Sequence, residues 1–275
     1  MAKLYIGDSQ GTPAIIKIEE VPKTKFGINV DTFLGDVDEN GVYQIPTEPF
    51  TLDLSSIKSL PYYGLYYKFC RTSVSGTLTI GLEDDLSGNS AMYNCFYNCT
   101  GLTSINLSSL TTVSGNSSMY SCFNNCTGLT SINLSSLTTV SGNNALQYCF
   151  NGCAGLTSVN LSSLTTVSGN NALQSCFDGC TGLTSINLSS LTTVSGGGAL
   201  QSCFYNCASL STISFPALTS VVNNSFGSAS YNYIFNRCTA LTEIHFRADM
   251  QATIEAMTGY ANKWGATNAT IYFDL

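Results

Sequence analysis

Cys149-Phe150-Asn151-Gly152-Cys153-Ala154-Gly155-Leu156-Thr157-Ser158-Val159-Asn160-Leu161, continued by Ser162-Ser163-Leu164-Thr165-Thr166-Val167, is one copy of a unit that returns every 27 residues. Its cysteine pair recurs as Cys95/Cys99, Cys122/Cys126, Cys176/Cys180 and Cys203/Cys207, and four consecutive copies are nearly identical. One such unit cannot bury its apolar residues alone, whereas stacked copies can. The chain therefore reads as a solenoid, with a surface made of side-chain rows.

Two periodicities alternate within the unit. Leu146, Cys149, Phe150 and Cys153 occupy i, i+3, i+4 and i+7, which predicts a two-turn helix with one apolar stripe. The same places hold Met119, Cys122, Phe123 and Cys126, then Leu173, Cys176, Phe177 and Cys180, and lastly Tyr231, Ile234, Phe235 and Cys238. Leu156-x-x-Val159-x-Leu161 alternates as a strand does, and Leu164 and Val167 carry the chain around the coil. Strand cores follow at Leu52–Leu54, Leu78–Ile80, Ile105–Leu107, Ile132–Leu134, Val159–Leu161, Ile186–Leu188, Ile213–Phe215, Ile244–Phe246 and Ile271–Phe273. At about 4.8 Å per parallel strand these rungs make a sheet roughly 40 Å long.

The composite pattern C/A-F-x-x-C-x-x-L-x-x-I-x-L-x-x-L-x-x-V resembles the BspA-like leucine-rich repeats of bacterial and phage surface proteins, over residues 49–247. The family unit is about 23 residues with Ala before the Phe; here it is 27 with Cys in that place. The resemblance implies an α/β solenoid of short parallel strands and short helices, a concave sheet as the ligand face, and a surface-displayed role in binding or adhesion.

The ends read differently. Residues 1–48 are expected to form an N-terminal β cap, with strands at Lys3–Ile6, Ala14–Glu19 and Phe26–Val30 and a hairpin turning at Asn40-Gly41. Residues 248–275 are expected to be a C-terminal cap of one helix and one strand. Asp249 would be the helix N-cap, Met250, Ile254 and Met257 its buried face, and Gly265 its stop.

Charged residues make up 10% of the chain, the net charge is −7, and between Asp85 and Arg237 only Asp178 is charged. Nucleic acids and anionic membranes need clustered Lys/Arg, so neither is an expected partner. No apolar run suits a membrane span, and Met1 to Asp8 reads as strand and turn rather than a secretory signal.

The periodic cysteines are expected to fill a buried column as small apolar side chains, with Cys70 a member from a degenerate early copy. C-x₃-C without a second pair or a histidine lacks zinc spacing. Asp36-Val37-Asp38-Glu39-Asn40-Gly41 opens like a calcium loop, but Thr47 stands where the bidentate Glu belongs, which favours an acidic hairpin. His245, the only histidine, falls on an outward strand position between Glu243 and Arg247. No catalytic residue, metal or cofactor is expected.

Outward strand positions carry Ser104/Asn106, Ser131/Asn133, Ser158/Asn160 and Ser185/Asn187, an uncharged lattice able to hydrogen-bond a polar protein or glycan at little desolvation cost. The expected function is a non-enzymatic binding or adhesion module using this face, on a bacterial cell surface or a virion. The alternative is a structural spacer or phage tail component that docks through residues 1–48.

Overall fold

The computed structural model describes residues 3–7, 13–17, 51–55 and 57–275. Lys3–Gly7 and Pro13–Lys17 form a two-stranded antiparallel sheet, matching the first two expected strands. The remaining N-terminal expectations (the strand at 26–30, the Asn40-Gly41 hairpin and the Asp36–Gly41 acidic loop) lie outside the described residues.

From residue 51 onward the described chain is a stack of parallel rungs rather than a mixture of layers. Strands Asp53–Leu54, Ser75–Ile80, Gly101–Asn106, Ser131–Asn133, Ser158–Asn160 and Ser185–Asn187 form one six-stranded sheet. Thr212–Phe215, Glu243–Phe246 and Thr270–Phe273 continue it as a three-stranded sheet. All nine expected strand cores are thus met by a strand. Past a register shift at Gly76/Thr77, register is strict in the central coils: Ser104 pairs Ser131, and Ile105 pairs Ile132. A one-residue slip would turn Ile105, Ile132 and Val159 out to solvent, so burial enforces it.

A second parallel sheet was not anticipated. Leu110–Val113, Thr139–Val140, Thr166–Val167, Thr193–Val194 and Ser220–Val221 pair along the stack, with Asp84–Asp85 at one end. Its threonines reinforce it: the hydroxyls of Thr138, Thr165 and Thr192 each donate to the carbonyl of the equivalent threonine one coil earlier, at 3.0 Å.

The expected helices of the repeat are absent, and this corrects the α/β reading. Through residues 142–153, the amides of Ala145, Gln147, Cys149, Asn151 and Cys153 donate three residues back. The intervening amides of Asn144, Leu146, Tyr148, Phe150 and Gly152 donate to the next coil, at Asn170, Ala172, Gln174, Cys176 and Asp178. The segment is a run of overlapping turns in which every second amide crosses to a neighbour. Asn144, Tyr148 and Gly152 have φ of 54°, 57° and 72°, so a left-handed residue recurs every four positions.

The cause is spacing. A helix is about 10 Å across, while hydrogen-bonded coils advance about 4.8 Å. A helix in every coil would force the turn side apart; the turn ladder keeps the coils close and pairs its amides within and between them. Glycine makes the tight approach possible. A Cβ on Gly169 would lie 2.1 Å from the carbonyl oxygen of Gly142, and the Ser-Gly-Asn-Asn turn has to pass at that point.

The core runs the length of the stack. Phe69, Phe96, Phe123, Phe150, Phe177, Phe204 and Phe235 form a column with centroids 5.1 to 6.2 Å apart and rings within 10° of parallel. Tyr231 departs from expectation: it is 79% exposed rather than part of the buried stripe. Leu200 donates to Ser225 and Ser202 to Asn232, so the extra residues of this longer coil loop out between those points. Phe226 takes the interior place and packs on Phe215, Phe246 and Trp264.

The C-terminal helix is short. Ala248–Met250 is a 3-10 turn and Gln251–Glu255 an α-helix, with Met250, Ile254 and Met257 buried as expected. Asp249 is not its N-cap. Its carboxylate is held by Arg247 at 2.6 and 2.8 Å, and that pair draws it away from the helix amides. Among the described residues, no helix is long and apolar enough to cross a membrane.

Candidate functional site

The strand face presents the expected rows. Ser104 and Asn106 are half-exposed, and Ser131, Asn133, Ser158, Asn160, Ser185 and Asn187 are exposed. The ladder aligns them: Asn106 with Asn133, Asn133 with Asn160, Asn160 with Asn187, and Ser158 with Ser185.

What sequence alternation could not show is how these amides are spent. The Oδ1 atoms of Asn106, Asn133, Asn160 and Asn187 accept the backbone N–H two residues on, from Ser108, Ser135, Ser162 and Ser189, at 3.0 to 3.2 Å. Each asparagine therefore closes its own strand with an Asx turn. With the amide oxygens engaged, the Nδ2 hydrogens and the serine hydroxyls remain for a partner, joined in places along the row (Asn133 Nδ2 to Asn106 Oδ1, 3.4 Å; Ser104 Oγ to Thr77 Oγ1, 2.7 Å). The face is chiefly a neutral donor array suited to carbonyls, carboxylates and sugar oxygens.

The cysteines form two buried columns, and all twelve thiols are free. One column does more than fill space. Cys99, Cys126, Cys153, Cys180, Cys207 and Cys238 donate through Sγ to the carbonyl of the phenylalanine in the preceding coil, at 2.9 to 3.2 Å. Burial pushes these thiols up, Cys238 to about 12, so they stay protonated donors and poor nucleophiles. Cys70 is not a member of either column. Thr72 holds the place before Cys99 and donates to Phe69, while Lys68 precedes Cys95 and is half-buried.

His245 is fully engaged. Its Nδ1 lies 2.9 Å from the Asp274 carboxylate, its Nε2 3.5 Å from that of Glu243, and its ring stacks on Tyr272 at 4.8 Å. These contacts tie the last strand to its neighbour. Asp178 stands on the turn side; burial pushes its carboxyl up to about 6, against the pull of Arg237 and a hydrogen bond with Asn151. Among the described residues, no group of three or more His, Cys, Asp or Glu is placed to hold a metal.

A parallel solenoid with Leu, Ile and Val at fixed inward places and a polar strand face is a leucine-rich-repeat scaffold, a class that binds proteins or other ligands. The chain belongs to the BspA type leucine rich repeat region family, whose model matches residues 89–232 and 174–258 in six copies. Members of that family are generally interaction or adhesion modules and often surface-associated, and their solenoid is typically a non-enzymatic scaffold.

Similar solved structures include a Treponema pallidum leucine-rich repeat protein, at 15% identity over 88% of this chain and 80% of that one, TM-score 0.36. A Bacteroides ovatus leucine-rich repeat protein is 17% identical over 99% and 75%, TM-score 0.30. A leucine-rich cell surface protein of Faecalibacterium prausnitzii is 13% identical over 98% and 92%, TM-score 0.25. No curated protein matches.

Proposed function

We propose that this protein is a surface-displayed, non-enzymatic binding or adhesion module that recognises a polar protein or glycan through the Ser/Asn strand face. One observation carries the reading. Four successive coils present Ser-x-Asn in register, with amide oxygens occupied and donors left outward. Burying such groups against oxygen acceptors desolvates no charge, and a partner spanning several coils meets the same donors repeatedly. The chain is organised for this as an N-terminal unit (1–48), a solenoid (49–247) and a closing segment (248–275).

The test is binding of the purified protein to mucin, a glycan panel and intact bacterial cells, beside the double variant Asn133→Arg/Asn160→Arg. Loss of binding in a variant whose unfolding is unchanged supports the strand face. Binding that is equal in both proteins places recognition elsewhere.

A further inference from the structure

The repeats are copied most closely on the strand face and diverge on the turn face. Along one outward turn column the early coils carry Tyr66, Tyr93 and Tyr120, where the next two carry Gln147 and Gln174. Tyr66 stacks on Tyr93 at 5.2 Å, and Tyr93 on Tyr120 at 4.6 Å. Tyr67 adds its ring at 5.8 Å from Tyr93. The cluster stays open to solvent at its end, with Tyr66 38% and Tyr67 46% exposed.

Two features set this cluster apart from ordinary packing. Tyr63, Tyr67 and Arg71 sit at φ of 56°, 54° and 58°, places where the following coils use mostly Ser, Asn and Gly. A bulky residue there carries backbone strain, which concentrates at functional positions. In addition, Arg71 lies in the same outward line with its guanidinium 5.8 Å over the ring of Tyr97, and no carboxylate pairs with it among the described residues. The acids of the neighbouring coils are placed elsewhere, Glu83 on Lys58 and Asp85 on Ser114.

We propose that Tyr66, Tyr67, Tyr93 and Arg71 form a second recognition surface, separate from the strand face, for a glycan ending in a single acidic sugar. The exposed phenol rings take the apolar faces of the sugar rings, and the phenol hydroxyls meet sugar hydroxyls. Arg71 receives the one carboxylate through paired N–H donors, a geometry guanidinium suits. Charge complementarity selects this occupant. Among the described residues of this patch Arg71 is the one exposed cation, Lys68 beside it being half-buried, and a single exposed guanidinium at the edge of an aromatic patch matches one acid on a neutral body. Nucleic acids and polyuronates carry a charge on every unit and need a row of cations.

The experiment is calorimetric or NMR titration of the full chain with 3′-sialyllactose, with lactose as the neutral control. Sialyllactose should bind at least about tenfold more tightly than lactose, and Arg71→Gln should abolish about that difference, roughly the worth of a charge-assisted pair. Arg71→Lys should fall between, and Tyr66→Ser/Tyr67→Ser should weaken both sugars, with urea midpoints showing that each variant folds. No saturable binding, equal binding of lactose, or an unaffected Arg71→Gln would overturn the proposal. So would tighter binding of polygalacturonate. Sialyllactose binding lost in Asn133→Arg/Asn160→Arg but kept in Arg71→Gln would assign the sugar to the strand face instead.

Discussion

Glycine and alanine at position 175 should reverse the stability order that a helix would impose. Ser175 lies inside the stripe Leu173, Cys176, Phe177, Cys180, where the spacing predicts a helix interior. In the structure its φ is +51°, its amide donates to Gln201 of the next coil, and its carbonyl accepts from Asp178. Ser175→Gly and Ser175→Ala both remove the hydroxyl, so their difference isolates the backbone. In the left-handed region a Cβ costs roughly 1–2 kcal/mol. In a helix the same comparison favours alanine by about 0.5–1 kcal/mol. The two geometries therefore differ by roughly 1.5–3 kcal/mol and, decisively, in sign. Urea unfolding of both variants reads the difference directly, provided the slopes agree. Glycine should be the more stable of the two by about 1–2 kcal/mol. Alanine equal to or above glycine would refute the turn ladder.

Two further outcomes follow from the buried titratable groups. Asp178→Asn should be more stable than the parent at pH 8, and the gain should vanish below pH 4. Its folded carboxyl, raised to about 6, binds a proton more readily than in the unfolded chain, so stability falls as pH rises from about 4 to 6 and stays low above; urea midpoints at pH 4 and 8 check this, and a gain confined to acid would contradict it. Native protein at pH 8 should expose no more than Cys70 to a disulfide reagent, and urea should release all twelve thiols. Rapid reaction of several native thiols would mean that the columns open.

The strand rungs were legible in the sequence because their alternation is local: Val159 and Leu161 turn inward and Ser158 and Asn160 outward whatever lies across the coil. The turn segment was not, for a reason of period. Its buried residues come in pairs, Ala145/Leu146 and Cys149/Phe150, followed by Cys153, with polar pairs between. That is a period of four, and over eight residues it selects the same apolar positions as a helix of 3.6. Counting likewise placed Tyr231 thirty-one residues after Leu200, since a repeat length does not reveal where an insertion sits. The Ser/Asn columns could be read as outward, but their amide oxygens could not be seen as spent, because an Asx turn depends on the backbone two residues on. The Tyr–Arg patch is outward under either period, but the stacking of its rings from coil to coil follows only from the close advance of the turn ladder.

Replacing helices by turns also changes what the solenoid can recognise. A helix on every coil would spread the turn side to about twice the rise of the sheet and bend the stack strongly. Here the phenylalanine column widens only from 5.1 to 6.2 Å along the stack, close to the 4.8 Å or so of the strands. The core on the turn side thus advances nearly in step with the strands. A partner laid along either face would meet successive coils at nearly constant intervals. The faces differ in what they repeat: the strand side offers the same donors in coil after coil, so under the proposed reading its affinity would rise with the number of coils a partner spans. The turn side changes from Tyr to Gln between Tyr120 and Gln147, so the partner proposed there would be placed by chemistry at one end of the stack. On these two proposals, a division of labour between a uniform face and a varied one would follow from which side of the coil the copies keep identical.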